Sequence, residues 1–193
     1  HIDWVSSFIE KLNLKNITLF CQDWGGLIGL RIITQMNNRF DLVAASNTTL
    51  PTGKVPIPES FLQWREYSQQ STSFNIGKVI DMGTVQPLSE KVYEAYNAPF
   101  PSEEYKAGAR IFPTLVPIDE GDPESIKNIK AWEKLKSWNK PFLTIFGDED
   151  NIMIGAEKAF QKLVPGSKEQ NHNILNAGHF IQEEKGEELA ELI

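Results

Sequence analysis

The chain has 193 residues, a formal net charge of −7 and 40% hydrophobic side chains. That length suggests one domain with room for an inserted lobe, and the apolar content is enough for a sizeable core. The acidic balance argues against a nucleic-acid surface, no apolar run is long enough to cross a bilayer, and three scattered histidines with one cysteine give no metal-ligand spacing. Cys21 alone rules out an internal disulfide framework and fits a reducing compartment, so the expected address is cytoplasmic.

The first residue is histidine, and Trp4, Val5, Phe8, Ile9 and Leu12 recur at helical spacing, which predicts a helix over residues 1–14. The last seven residues, 187–193, read as another helix. The expectation is a fragment cut at both ends, with any targeting segment beyond its reach. Strands that should flank residues 17–22 would be missing, and an open apolar edge is an aggregation site. Alone, such a fragment is expected to be insoluble or molten, and inactive.

Residues 16–22 are β-branched and apolar and predict a buried strand. Asp23 ends it, Gly25 and Gly26 follow, and an apolar helix runs to about Asn37. A strand that turns sharply into a helix needs small residues where the backbone passes close to itself. This is the pattern of a nucleophile elbow, with aspartate where serine is commoner. A plain helix N-cap is the alternative reading of Asp23. Asp41–Asn47 predicts a second strand, and strand–helix–strand in this rhythm implies a parallel sheet with helices on its faces. Such sheets place their sites at the carboxyl ends of strands.

Prolines at 51, 56 and 58 break the pattern. From Glu59 to about Pro117 there is no good strand but many aromatics, which reads as a small helical lobe inserted into the core. Phe61 and Trp64, at i and i+3, share a helix face. Asp122-Pro123 predicts an N-capped helix to about Trp138. Residues 141–146 predict a third strand ending at Gly147-Asp148-Glu149-Asp150. A helix over about 155–163 follows, then a short strand, Asn173–Leu175, ending at Ala177-Gly178-His179. Trp4, Trp132 and Trp138 read as helix-face packing, and His1 and His172 take no role. The domain reading is 1–50 and 119–193 for the core and 51–118 for the cap.

Asp23, an acidic loop and His179 thus fall at three strand ends in the order nucleophile, acid, histidine, which is the order of the α/β-hydrolase triad. An elbow presents the nucleophile, a histidine activates water, and a buried carboxylate fixes the histidine tautomer.

Three stretches, Cys-Gln-Asp-Trp-Gly-Gly-Leu-Ile-Gly-Leu from Cys21, Phe-Gly-Asp-Glu-Asp from Phe146 and Asn-Ala-Gly-His-Phe-Ile-Gln-Glu from Asn176, resemble the haloalkane dehalogenases. Within the lobe, Phe61–Trp64, Tyr96–Pro101 and Gly108–Pro113 resemble that family's cap. The resemblance implies a partial α/β-hydrolase fold with an inserted helical cap. It implies Asp23 as the nucleophile that forms an ester, His179 as the base for its hydrolysis, and Asp150 as the acid, with Asp148 as competitor. Asn47 stands where another subfamily places a glutamate. Trp24 and Trp64 match the halide-binding tryptophans, although Trp64 also reads as packing. Phe61, Phe112, Pro113 and Val116 would line the pocket. The implied partners are a small apolar halogenated substrate and water, with no metal or organic cofactor, no nucleic acid and no membrane, and the full-length protein is expected to be a monomer. The family's histidine-glycine-x-proline motif for the oxyanion is not in this sequence, which leaves the Trp24 N–H as half of that site. Epoxide hydrolases share Asp-Trp-Gly and use two cap tyrosines, for which Tyr67, Tyr93, Tyr96 and Tyr105 are available. A non-catalytic receptor on the same fold is the third reading.

Overall fold

A computed structural model describes residues 1–193. Helix α1 (Ile2–Lys11) leads through Asn13 and Asn16, both with positive φ, into β1 (Ile17–Gln22). Asparagine tolerates that left-handed backbone better than most residues. Then come α2 (Trp24–Gln35), β2 (Phe40–Ser46), and α3 (Glu59–Gln70), α4 (Ile76–Met82), α5 (Glu90–Asn97) and α6 (Ala107–Ile111). The chain continues through α7 (Pro123–Leu135), β3 (Phe142–Gly147), α8 (Glu157–Leu163), β4 (Asn173–Leu175), α9 (Ile181–Glu184) and α10 (Gly186–Leu192).

The four strands form one parallel sheet in the order β1-β2-β3-β4. Side chains alternate across it. Val43, Ala45, Phe142 and Phe146 join Leu30, Ile33 and Leu135 in a large core on one face. Ala44, Leu143 and Ile145 meet Ile181 and Leu189 on the other. The period of two along β2 and β3 therefore buries both faces, as expected of a parallel sheet covered by helices. Helices α3 to α6 all fall between β2 and β3 in sequence, and no strand interrupts them.

The predicted bounds shift by a few residues, and α7 stops at Leu135 instead of Trp138. Its start follows the capping expectation: the Asp122 carboxylate accepts the Glu124 N–H at 2.7 Å, ahead of Pro123. The first helix corrects the reading of Trp4. Ile2 and Ile9, seven residues apart, turn one stripe to the core, while Trp4, Phe8 and Leu12 form a second stripe facing out. Trp4 is 72% exposed and does not pack into the core. Trp132 and Trp138 do pack: Trp132 stacks on Phe160, and Trp138 is buried. His172 gains a structural part, because the Thr144 N–H donates to its Nδ1 at 3.1 Å, tying β3 to the turn before β4.

Candidate active site

The site begins with a strained turn. Asp23 has φ 48° and ψ −121°, far from where a residue with a Cβ normally sits. Hydrogen bonds to its backbone hold it there. Its N–H donates to the Asn47 carbonyl (3.2 Å), and its carbonyl accepts from the Thr48 hydroxyl (2.7 Å) and the Gly26 N–H (2.9 Å). A Cβ on Gly26 would lie 1.9 Å from Thr48 Oγ1, whereas one on Gly25 would meet nothing closer than Cys21 Cβ at 3.8 Å. Only the second glycine is thus demanded by close approach, which narrows the reading of the pair. The Asp23 side chain makes no capping bond to α2, so the N-cap alternative does not account for its carboxylate.

That carboxylate faces a histidine. His179, on the loop after β4, brings Nε2 to 3.5 Å from Asp23 Oδ1 and Nδ1 to 2.8 Å from Asp150 Oδ2. Asp150 is buried, and it also accepts the Ile152 and Met153 N–H groups and the Asn47 amide. Its competitor Asp148 is exposed to solvent. Burial alone would push the His179 imidazole down, but the Asp150 and Asp23 carboxylates outweigh it and hold the ring up to about 10. Burial would raise the Asp150 carboxyl. The hydrogen bonds from His179, Asn47 and the Ile152 N–H prevail and hold it below the usual carboxylate range. Cys21 is buried next to the elbow, and burial pushes its thiol up to about 12, which suits a packed residue and not a nucleophile.

Asp23 and His179 open onto a cavity of about 630 Å³, walled mainly by apolar side chains. Trp24, Trp64, Phe61, Phe112, Pro113 and Val116 all line it. Trp24 meets Phe112 edge-on at 4.8 Å between centroids, and Trp64 stacks on Phe74 at 5.8 Å. The Trp132 indole donates to the Leu50 carbonyl at 2.8 Å, but the indole N–H groups of Trp24 and Trp64 have no protein acceptor. Of the four tyrosines, only Tyr67 reaches the cavity. The Tyr96 hydroxyl is spent on Glu183 at 2.7 Å, and burial with that carboxylate pushes it up to about 12. No cluster of three His, Cys, Asp or Glu side chains could hold a metal ion.

No family model matches the chain. Relatives do, along its whole length. It is 50% identical over 194 residues to a haloalkane dehalogenase of Psychrobacter cryohalolentis, and 47% identical over 193 residues to one of Mycolicibacterium paratuberculosis. Along its whole length the chain is similar to haloalkane dehalogenases. It spans 64% of the length of both of those curated relatives. A solved haloalkane dehalogenase, DpaA from Paraglaciecola agarilytica, described as tetrameric, superposes with a TM-score of 0.90 at 30% identity, covering 99% of this chain and 64% of that one. The parallel sheet with its flanking helices is accordingly part of an α/β-hydrolase fold.

Three residues of this site escape a reading of the sequence. Asn47, read only as the place where an acid is lacking, is the hub of the strand ends. Its amide donates to Asp150 (2.7 Å) and the Gly178 carbonyl (3.2 Å), and its Oδ1 accepts the Gly147 N–H (2.9 Å). Gly147 itself is fixed by crowding, since a Cβ there would strike the Ala177 carbonyl oxygen at 2.3 Å. Glu184 binds the histidine loop to the lobe: its carboxylate accepts Gly178 N–H (2.7 Å), Val85 N–H (2.7 Å) and Gln86 N–H (3.2 Å). Gln22 contacts His179 twice. The only sequence signal for Asn47 is an asparagine directly after a core strand. For Glu184 it is an acid soon after the strand-end histidine, and Gln22 gives none.

Proposed function

We propose that the protein is a hydrolytic dehalogenase that converts small haloalkanes to alcohols and halide. One observation carries this: a carboxylate on a strained elbow faces a histidine backed by a buried acid, at the mouth of an apolar cavity with two unengaged indole N–H groups. In the first step Asp23 attacks the carbon that bears the halogen. A C–O bond forms, the C–X bond breaks, and halide leaves with its electron pair. Trp24 and Trp64 are the donors for that anion. An indole N–H donates and cannot accept, so it suits halide, and fixed donors in a dry pocket act most strongly on developing charge.

In the second step neutral His179 takes a proton from water, and the hydroxyl oxygen attacks the ester carbonyl carbon. Collapse of the tetrahedral intermediate releases the alcohol and restores the Asp23 carboxylate. The sum is R–X + H₂O → R–OH + H⁺ + X⁻. Asp150 keeps the His179 Nδ1–H in place and stabilises the imidazolium. The Trp24 N–H, at the unpaired start of α2, is one donor to the oxyanion. Residues 1–50 and 119–193 supply the catalytic core, and residues 51–118 form a cap that sets the shape of the pocket. Epoxide opening needs two tyrosine hydroxyls over the nucleophile, and Tyr67 alone reaches the cavity.

The test is halide release from a panel of chloro-, bromo- and iodoalkanes by the full protein. Asp23→Ala should abolish it, because no ester can form. His179→Phe should form the ester and stall, giving a covalent alkyl adduct on the peptide that contains Asp23. An adduct on another peptide, or multiple turnover by His179→Phe, defeats the assignment, and no halide from any substrate defeats the function.

A further inference from the structure

The geometry points to a second partner for His179. Gln22 is the last residue of β1, one position before Asp23. Its side-chain nitrogen lies 2.9 Å from the His179 carbonyl oxygen and 3.3 Å from His179 Nε2. A carbonyl only accepts, so the amide group facing it is the NH₂. One of its hydrogens goes to the carbonyl, and the other is left for the ring. The Nδ1 side is committed, because the Asp150 carboxylate 2.8 Å away only accepts and so holds a proton on Nδ1. The protonation state of the ring is therefore decided at Nε2, where two groups meet it from adjacent residues: the Asp23 carboxylate at 3.5 Å and the Gln22 amide at 3.3 Å.

The two pull in opposite senses. The carboxylate favours a proton on Nε2. The amide donor favours a lone pair there, and it faces an N–H unfavourably when the ring is charged. We propose, on the dehalogenase reading, that Gln22 is a positioning residue for ester hydrolysis: its amide biases His179 to the neutral tautomer with the Nε2 lone pair exposed, as soon as Asp23 has become an uncharged ester.

The sequence of charges follows. Before alkylation the Asp23 charge dominates and His179 is held protonated between two carboxylates. Alkylation removes one of those charges, the Gln22 donor remains, and the Nε2 proton leaves to solvent. Water then meets a base instead of an acid. At 3.3 Å the contact with Nε2 is the weaker of the two amide contacts, so water can replace it while the 2.9 Å bond keeps the amide at hand. No other charged group is in contact with the ring. Glu184 meets the histidine loop at the preceding Gly178 N–H and not at the ring, and Phe180 lies edge-on with its centroid 5.0 Å away.

The test needs no turnover. In the full protein, Asp23→Asn imitates the uncharged ester, and ¹⁵N-histidine NMR follows the His179 titration. Adding Gln22→Met removes the donor and should raise the midpoint by about one pH unit, a tenfold gain in proton affinity. Gln22→Glu, of nearly the same shape, should raise it further. An amide that only fills space predicts the reverse for methionine, since a less polar neighbour disfavours the charged ring. Midpoints that fall or do not move in both variants overturn the proposal. With Asp23 intact, Gln22→Met should slow ester hydrolysis about tenfold more than ester formation, so that the alkyl-enzyme accumulates. Equal slowing of both steps also counts against it. Upward shifts in a protein that releases no halide would sustain the role of Gln22 while sinking the dehalogenase reading. Halide release with immobile midpoints would do the opposite.

Discussion

The two halves of the site are built by different physics. On the sheet side, directional bonds surround the chemistry: the Asn47 side chain uses both its NH₂ and its oxygen, Asp150 accepts from four donors, and Asp23 is pinned through its backbone. On the lobe side, Trp64, Phe61, Phe112 and Val116 line the cavity with apolar surface, and the one polar handle on Trp64, its indole N–H, is left unpaired. Directional bonds hold the reacting groups of the first half, while the pocket face of the second is set by apolar packing. Changes on the sheet side should therefore be large and specific to one step, and changes on the lobe side smaller and graded.

Short of removing Asp23 itself, the largest effect should come from Asp150→Ala. It removes the main partner of His179 Nδ1, leaving a buried ring with one carboxylate instead of two. By analogy with triads that lose their acid, turnover should fall by about 10⁴, read as halide release at saturating substrate. The His179 midpoint should fall from its value of about 10, because burial then has less to oppose it. The stability linkage has a definite sign. The raised His179 contributes stability that is complete below about pH 6.5 and is lost as pH climbs through about 10. The lowered Asp150 contributes stability that is present above about pH 3.9 and is lost as pH falls through its depressed folded value. Unfolding followed by denaturant at pH 7 and pH 11 should show the alkaline loss in the parent, and much less of it in Asp150→Ala.

Next is a pair of neighbours that the sequence cannot tell apart. Gly26→Ala drives a Cβ into Thr48, whose hydroxyl must then release the Asp23 carbonyl. A cost of about 2 kcal/mol and a severe loss of ester formation are expected, since the elbow is strained and over-determined. Gly25→Ala meets only an ordinary contact and should be neutral or slightly stabilising, as alanine suits a helix better. A Cβ on residue 26 would also lie 2.6 Å from Thr48 Cβ, so if Thr48→Gly rescues the fold of Gly26→Ala, the clash is the cause. If both alanines cost alike, the distinction between the two glycines fails.

These glycines also mark how far the sequence could be read. The elbow was legible because its signal is local: strand, acid, two glycines and apolar helix within about twenty residues. Phe61 and Trp64 were legible as one helix face through their spacing, and as pocket residues only through resemblance. Gln22, Asn47 and Glu184 were not legible, because each acts on a partner far along the chain: Gln22 meets His179 157 positions away, Asn47 meets Asp150 across 103, and Glu184 meets Val85 across 99. No periodicity or cap records such a contact. Trp4 failed for a related reason. A helix with two apolar stripes does not say which of them faces the core.

On the lobe side, Trp64→Phe keeps a ring to stack on Phe74 and removes only the donor. Halide affinity, read by quenching of tryptophan fluorescence with iodide, should weaken about tenfold, the scale of one hydrogen bond to an ion. Trp24→Phe should cost at least as much, because its donor belongs to the residue next to Asp23. An unchanged affinity in Trp64→Phe would return that residue to plain packing.

The smallest effect should come from a carboxylate that ties the two halves together. Glu184 gathers N–H groups from Gly178, next to His179, and from Val85 and Gln86 in the lobe. Glu184→Gln keeps one acceptor oxygen and gives up the charge, so it can serve one side of the bridge but not both. The expected cost is about 1–2 kcal/mol, the worth of one charged hydrogen bond partly offset by the remaining carbonyl. Because Gly178 also carries a bond from Asn47 through its carbonyl, His179 should keep its place and the first step should change little. The loss should fall on the coupling between lobe and sheet. Amide exchange at Val85 and Gln86 should quicken while that of the Asp150 loop stays slow, and substrate affinity should weaken a few-fold more than turnover. Uniformly faster exchange on both sides would mean that Glu184 supports the whole core, and that the two halves are less separable than their bonding suggests.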